Sequence, residues 1–206
     1  MIRTIISDMG NVLLFFDHMI FIRRIAVFTS HSPQEILRIL QKHIELIKDF
    51  SRGKMEPEAY VDKMIQLLGA DIRRKDFIST YRNIFSVNRN ALEVLKEMKD
   101  FRQMVLLSNT DFIHFEYIKE VFPDMLIFDE YVLSFQEGLI KPEIEIYKKA
   151  LEKAGIAAEE AVFIDDLEDN VKPAVDLGMK GIVYRKDMDL RAELRRYGIG
   201  GSTKPG

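Results

Sequence analysis

The sequence predicts an α/β fold: a parallel sheet covered by helices on both faces, with a small helical cap inserted after the first strand. Three observations carry this. Short, continuous apolar runs closed by polar turn residues recur along the chain and read as buried strands. Amphipathic helical periods lie between them, and strands that alternate with helices pair in parallel with both faces covered. One long stretch after the first strand shows helical periods and no convincing strand.

The first strand carries Ile2, Ile5 and Ile6, runs to Ser7-Asp8 and is closed by Met9-Gly10-Asn11. From about Phe15 to Val87 the spacing is helical. Pro33 to Ile47 carries Ile36, Leu37, Leu40, Ile44 and Ile47, and Pro57 to Leu68 carries Tyr60, Val61, Met64, Leu67 and Leu68. Phe77, Tyr81, Ile84 and Phe85 form a third stripe. Asn88 then caps a helix bearing Leu92, Leu95 and Met98, and Met104 to Leu107 is the next strand. Asp129 to Ser134 is a weaker strand. Pro142, at a first-turn position, opens a helix over Glu143 to Ala154 with Gly155 as its stop. Ala161 to Ile164 and Gly181 to Tyr184 are strands, separated by a helix over Asn170 to Leu177 that Gly178 ends. The predicted core is thus 1–14 plus 88–206 and the cap is 15–87. The tail from Gly198 to Gly206 reads as a loose end.

A length of 206 residues suits one domain carrying an insertion. The chain is 47% apolar and 31% charged, enough apolar content to fill a core, which excludes wholesale disorder. Thirty basic against thirty-three acidic residues leave a net charge of -3, with no basic excess to draw the chain onto nucleic acid or an anionic membrane. Without cysteine there is no disulfide, thiolate metal site or thiol nucleophile. The apolar run Val12 to Phe16 is far shorter than the ~20 residues that span a bilayer, and it lacks the flanks of a secretion signal. A cytoplasmic protein is expected.

In an open parallel sheet, ligands bind beyond the carboxyl ends of the strands. The residues there are Asp8, Ser108-Asn109-Thr110 and Asp165-Asp166, with Lys141 just before a helix. Taken singly, each has an ordinary explanation as turn former, helix cap or solvated loop. Jointly that explanation treats as coincidence that every piece falls at a strand end. The set has a specific chemistry. Asp8 is a carboxylate nucleophile of the kind that forms an aspartyl-phosphate. Asp8 and Asp166 are hard oxygen ligands for Mg²⁺. Ser108, with backbone N–H groups, can hold a phosphoryl oxygen, and Lys141 offsets the crowded negative charge.

Asp8-Met9-Gly10-Asn11-Val12, Leu107-Ser108-Asn109-Thr110, Gly138-Leu139-Ile140-Lys141-Pro142 and Phe163-Ile164-Asp165-Asp166 with Asp169-Asn170 resemble, in order, the four motifs of the haloacid dehalogenase-like superfamily. The pattern, including Arg52-Gly53-Lys54-Met55 to Tyr60, is similar to the subgroup of bacterial α-glucose-1-phosphate phosphatase and the amino-terminal phosphatase domain of soluble epoxide hydrolase. The resemblance implies a Rossmann-like core and a Mg²⁺-dependent phosphomonoester hydrolase acting on a small phosphorylated metabolite, with a sugar phosphate as the leading expectation. It implies Asp8 as nucleophile and metal ligand, the Gly10 carbonyl and Asp166 as further ligands, and Asp165, Asp169 and Asn170 beside them. Ser108 and Asn109 would hold the phosphoryl group and Lys141 would orient the nucleophile.

One position departs from the pattern. Most phosphatases of the superfamily carry, two residues after the nucleophile, an Asp that protonates the leaving oxygen; here it is Gly10. Asp17 and His18 are candidate substitutes, whereas His31, His43 and His114 read as ordinary residues. Phe15-Phe16 to Phe21 reads first as packing of cap on core and second as a hydrophobic substrate lining, and Arg52 to Met55 as a determinant of substrate choice. Two rivals remain: a metal-free dehalogenase, which gives the acidic fourth motif no purpose, and a phospho-ligand binding or regulatory protein that has lost turnover with its acid.

Overall fold

The computed structural model describes residues 1–200. Its strands are β1 (Thr4–Ser7), β2 (Leu14–Phe16), β3 (Phe85–Val87), β4 (Gln103–Ser108), β5 (Glu130–Leu133), β6 (Ala161–Asp165) and β7 (Lys180–Val183). Five of them form one all-parallel sheet in the order β5-β4-β1-β6-β7. The helices are α1 (His18–Ala26), α2 (Pro33–Lys42), α3 (Ile44–Ser51), α4 (Pro57–Leu68), α5 (Arg74–Arg82), α6 (Arg89–Lys99), α7 (Phe112–Val121), α8 (Ser134–Glu137), α9 (Ile144–Ala154), α10 (Glu168–Asp176) and α11 (Leu190–Arg196). Among the described residues, no helix is long and apolar enough to cross a membrane.

β1 is the central strand, and all four of its residues are wholly buried. Successive side chains on a strand point to opposite faces, and β1 divides the core accordingly. Ile5 packs with Leu92 and Leu95 of α6, Ile118 of α7 and Leu194 of α11. Ile6 packs with Ile146 and Tyr147 of α9 and Val171 and Ala174 of α10. The helices α1 to α5 close over a separate apolar cluster that includes Phe21, Ile36, Met64 and Phe77, with Phe50 stacked on Tyr60 at 3.9 Å.

The structure differs from the sequence expectation at four places. Leu14–Phe16 and Phe85–Val87 pair as an antiparallel two-stranded stem between core and cap; three-residue strands are too short for alternation to register. The helix expected over Pro33 to Ile47 breaks at His43, which leaves helical geometry while its ring nitrogen Nδ1 lies 2.9 Å from the Ile39 carbonyl. Pro142 belongs to the turn before α9, whose N-cap is Glu143. The tail is not loose at its start: Ile199 is wholly buried in the core, and Arg195 donates to the Gly200 carbonyl. Residues 201–206 of that expected tail lie outside the described residues.

Contacts on two sides besides the stem fasten the cap. Arg52 pairs with Glu143 at 2.6 Å, and Gly53 (φ +67°) lies so close to α8 that a Cβ would stand 2.0 Å from the Phe135 carbonyl oxygen. On the other side, the Tyr81 hydroxyl of α5 donates to Asp111 Oδ2 at 2.9 Å. His114 of α7 places Nδ1 2.6 Å from the same oxygen and Nε2 3.1 Å from the Tyr81 carbonyl. Both ring nitrogens thus face acceptors, which is the environment of a doubly protonated imidazolium. Burial alone would lower the His114 value, but the adjacent Asp111 outweighs it and holds it above the ordinary histidine range. Burial likewise opposes the Asp111 carboxylate, and His114 nevertheless holds it below the usual range.

The ion pair should make stability pH-dependent with a definite sign. Its contribution is whole below about pH 6.5, the unfolded histidine value, and above about pH 3.9, the unfolded carboxylate value. It is lost as pH rises through the raised His114 value or falls through the depressed Asp111 value. His114→Gln, which strands a buried carboxylate, should cost ~3–5 kcal/mol between those limits, and the gap to wild type should narrow as the solution becomes alkaline. A gap that holds constant with pH in urea titrations would mean a histidine that stays neutral.

Gly53 offers a second test. Gly69 also has a left-handed φ, of +56°, but nothing lies within 4 Å of a Cβ there. Gly69→Ala therefore measures the conformational cost alone, ~1–2 kcal/mol, and Gly53→Ala should exceed it by ~1–3 kcal/mol for the forced contact. Equal losses for the two variants would remove the close approach as a cause.

Candidate functional site

The site lies at the carboxyl edge of the sheet, and chain topology accounts for its assembly. β1 pairs with β6 in the register Ser7↔Ile164, so the residues that follow, Asp8 and Asp165, leave the sheet side by side. Asp8 Oδ1 accepts from the Met9 N–H at 2.7 Å and pairs with the Lys141 ammonium at 2.9 Å. The same ammonium donates to Asp165 Oδ2 at 2.6 Å and lies 5.6 Å from the centre of the Phe163 ring. Lys141 and Asp165 are almost completely buried. Burial raises Asp8 to about 6, against the pull of Lys141. Burial would lower Lys141, but Asp8 and Asp165 hold it above its ordinary value, so it is a cation throughout the physiological range.

Asp165 is further held by the side-chain amide of Asn170, at 3.0 and 3.1 Å to its two oxygens, and by the Leu167 N–H at 2.9 Å. Asp166 is half-buried; burial raises it, while Asn11 Nδ2 donates to its Oδ2 at 2.9 Å. Asn11 reaches across from a left-handed conformation (φ 51°), which Asn tolerates better than most residues. One oxygen each from Asp8, Asp165 and Asp166 lie within 4.8 Å of one another. Three carboxylates facing a single ammonium leave an excess of negative charge in a low-dielectric site, and all the donors are hard oxygens. That set suits a small divalent cation such as Mg²⁺.

Not every expected residue reaches this cluster in the expected way. Ser108, buried at the end of β4, lines a pocket of about 210 Å³ together with Met9 and Gly10. Asn109 lines it too, but its amide is engaged with the backbone of Lys141: Oδ1 accepts from the Lys141 N–H at 2.8 Å, and Nδ2 donates to the Lys141 carbonyl at 3.0 Å. Asn109 therefore locks the peptide that carries the lysine. Asp169 is exposed on the first turn of α10, outside the carboxylate cluster, whereas Asn170 is drawn in. Arg52, expected to select substrate, is committed to Glu143.

At Gly10 the backbone is ordinary, but space is not: a Cβ there would meet the Phe16 ring at 2.8 Å. Phe16 stands where a residue-10 side chain would project. Of the candidate acids, Asp17 is exposed and caps α1 by accepting from the Met19 N–H. His18 lines the pocket against Phe16, with ring centres 4.9 Å apart, and is lowered by burial and then by the charge of His114. Sequence reasoning missed Asp111, His114 and Tyr81, which line the same pocket. The visible signal was Asp111 at an N-cap position with His114 three residues on; Tyr81, the third member, is distant in sequence.

Known proteins resemble this chain over nearly its whole length. A sesquiterpene phosphatase of Aspergillus oryzae is 26% identical over 94% of this chain and 95% of its own. A D-ribitol-5-phosphate phosphatase of Bacteroides thetaiotaomicron is 23% identical over 94% and 97%. A haloacid dehalogenase-family enzyme of Bacteroides thetaiotaomicron, whose crystal structure is a complex with magnesium and inorganic phosphate, superposes with a TM-score of 0.84 at 25% identity, covering 95% of this chain and 100% of that one. Residues 2–178 match the family of haloacid dehalogenase-like hydrolases, and this chain belongs to it.

Proposed function

We propose that the protein is a Mg²⁺-dependent phosphomonoester hydrolase that works through an aspartyl-phosphate and acts on a small phosphorylated metabolite. The carrying observation is the buried Asp8 carboxylate bridged at 2.9 Å to Lys141, with Asp165 and Asp166 beside it and the neighbouring Met9, Gly10 and Ser108 lining a pocket. Two relatives that match over nearly the whole chain are named phosphatases, a third is named a drimenol cyclase, and a solved family member holds magnesium and phosphate. The two phosphatases' named substrates differ widely, a sesquiterpene in one and ribitol 5-phosphate in the other. The sugar-phosphate expectation is supported by the second of these alone.

In this reading Asp8, Asp166 and the Gly10 carbonyl would hold the cation, whose charge would offset phosphoryl oxygens and the carboxylates around them. The chain's own residues account for the rest. Hydrogen bonds from Met9 and Lys141 both fall on Asp8 Oδ1, which leaves Oδ2 to attack phosphorus. The bond from phosphorus to the ester oxygen breaks, and its electron pair leaves with the alcohol, which then takes a proton. Lys141 stays charged and faces the developing negative charge. Ser108 supplies a hydroxyl to a phosphoryl oxygen. Water then attacks the acyl-phosphate, releasing phosphate and restoring Asp8. Asp165 and Asn170 fix the lysine, and Asn109 fixes its backbone. A pocket of about 210 Å³ suits a small substrate.

Asp8→Asn should abolish phosphate release, Asp166→Asn should weaken Mg²⁺ binding, and chelation should silence the wild type. Phosphate release by Asp8→Asn or by the chelated enzyme would overturn the mechanism. Release of halide from 2-haloacids without phosphatase activity would favour the dehalogenase, and phosphate-ester binding with no turnover would favour the regulatory protein.

Gly10 generates a further expectation. General acid catalysis contributes about 10²–10⁴-fold, most where the leaving group is strongly basic. The wild type should therefore hydrolyse nitrophenyl phosphate much faster than a simple alkyl phosphate. Gly10→Asp requires the Phe16 ring to give way, so the double variant with Phe16→Ala should recover alkyl esters selectively. A wild-type rate independent of leaving-group pKa, with chemistry rate-limiting, would show that another group already donates the proton.

A further inference from the structure

A second chamber, also about 210 Å³, lies wholly within the cap. Phe21 and Ile22 of α1, Leu37 and Leu40 of α2, Ile44 of α3 and Met64 of α4 line it. It adjoins the catalytic pocket: His18, Ile47 and Tyr81 line both. Together the two fall within the ~300–1,000 Å³ range of small-molecule sites.

The chemistry of this lining is one-sided. No Asp, Glu, Lys or Arg faces it. The two tyrosine hydroxyls at its floor are already spent on each other and on the core: Tyr60 donates to the Tyr81 oxygen at 3.4 Å, and Tyr81 donates to Asp111. Gln41, on the exposed rim, and His18, where the chamber meets the catalytic pocket, are the remaining side chains able to hydrogen-bond. A polyol placed here would surrender its hydrogen bonds to water and find almost none in return. Leu37 and Ile44 stay more than a third exposed on either side of the break at His43. Large apolar side chains held in solvent around an apolar cavity are what a hydrocarbon entry requires.

We propose that this chamber is the leaving-group site, and that the substrate is the phosphate monoester of an apolar alcohol. The phosphate faces Asp8 and the hydrocarbon passes His18 and Ile47 into the cap. This assignment rests on the phosphatase reading above and replaces the sugar phosphate within it. The core offers every ester the same phosphate-directed groups, so discrimination falls to the cap lining.

The test uses the Mg²⁺-loaded protein and linear alkyl phosphates from ethyl to decyl, with ribitol 5-phosphate and glucose 1-phosphate alongside. All the alkyl members share nearly one leaving-group pKa, so only chain burial varies. kcat/KM should climb by about fourfold per methylene, level off once the chamber is filled, and exceed that for both polyol esters. Ile44→Asp and Leu37→Asp, both at exposed positions, should flatten the climb; the readout is its slope. Calorimetric affinity for linear alkylphosphonates, which need no turnover, should climb in parallel. Phosphonate affinity that climbs while no ester is hydrolysed would support the chamber and overturn the phosphatase reading. Hydrolysis with a flat alkyl series, or a preference for the polyol esters, would overturn the chamber and leave the phosphatase reading standing.

Discussion

The rest of the structure is organised around one buried ammonium. Lys141 sits between Asp8 and Asp165, and none of the three is stable there alone. A lone charge in such surroundings loses its hydration and is neutralised or expelled. The pairing requires β1 and β6 to be adjacent and in register, and the turn after α8 to reach back over their ends. Asn109 then pins that turn through both backbone polar groups of Lys141. Removing Lys141 leaves two buried carboxylates unmatched, whereas removing either aspartate leaves the other paired with the ammonium. The triad is therefore a restrictive specification of fold as well as a reactive centre, and its excess of carboxylates draws a cation to complete the balance.

The cap sets the other half of the environment. A carboxylate and a lysine at an open sheet edge would be solvated and of ordinary reactivity. Under a lid whose interior is apolar, the same charges interact through a low dielectric, which strengthens every attraction aimed at a phosphoryl group. The fastenings of the lid agree with this. Gly53 against Phe135 and the Tyr81–Asp111–His114 group hold opposite sides of the cap to the core. The second of these also lines the catalytic pocket. Cap seating and pocket shape thus share residues.

The central strands were readable because each is a continuous apolar run, which only a doubly covered parallel strand presents. Asp8, Lys141, Asp165 and Asp166 were readable because their residue types fall at strand ends in order. What was not readable follows from what sequence cannot encode locally. Asn109 has the same side chain whether it holds phosphate or a lysine's peptide, and only the path of the turn decides. Asp169 and Asn170 are neighbours, yet helical geometry turns one outward and the other toward Asp165. His114 looked ordinary because its acceptors are a local carboxylate and a carbonyl from a different lobe. The stem strands were too short to announce themselves, and Ile199 sits among glycines that read as a frayed end.

Gly10 and Phe16 connect the chemistry to the cap. Phe16 belongs to the stem strand, so its position is set by the pairing of β2 with β3. The ring occupies the volume that a side chain at residue 10 would need, and it also packs against His18, at the junction of the two chambers. An acid at residue 10 would thus require the ring at residue 16 to shift. The ring extends the apolar surface toward the leaving oxygen, while the acid would have placed a strongly hydrated carboxyl beside it. A substrate whose binding depends on excluding water from a hydrocarbon gains from the first and loses from the second. The missing acid and the apolar chamber are on this view one structural choice, made at the stem: affinity for the alcohol is favoured over protonation of its oxygen.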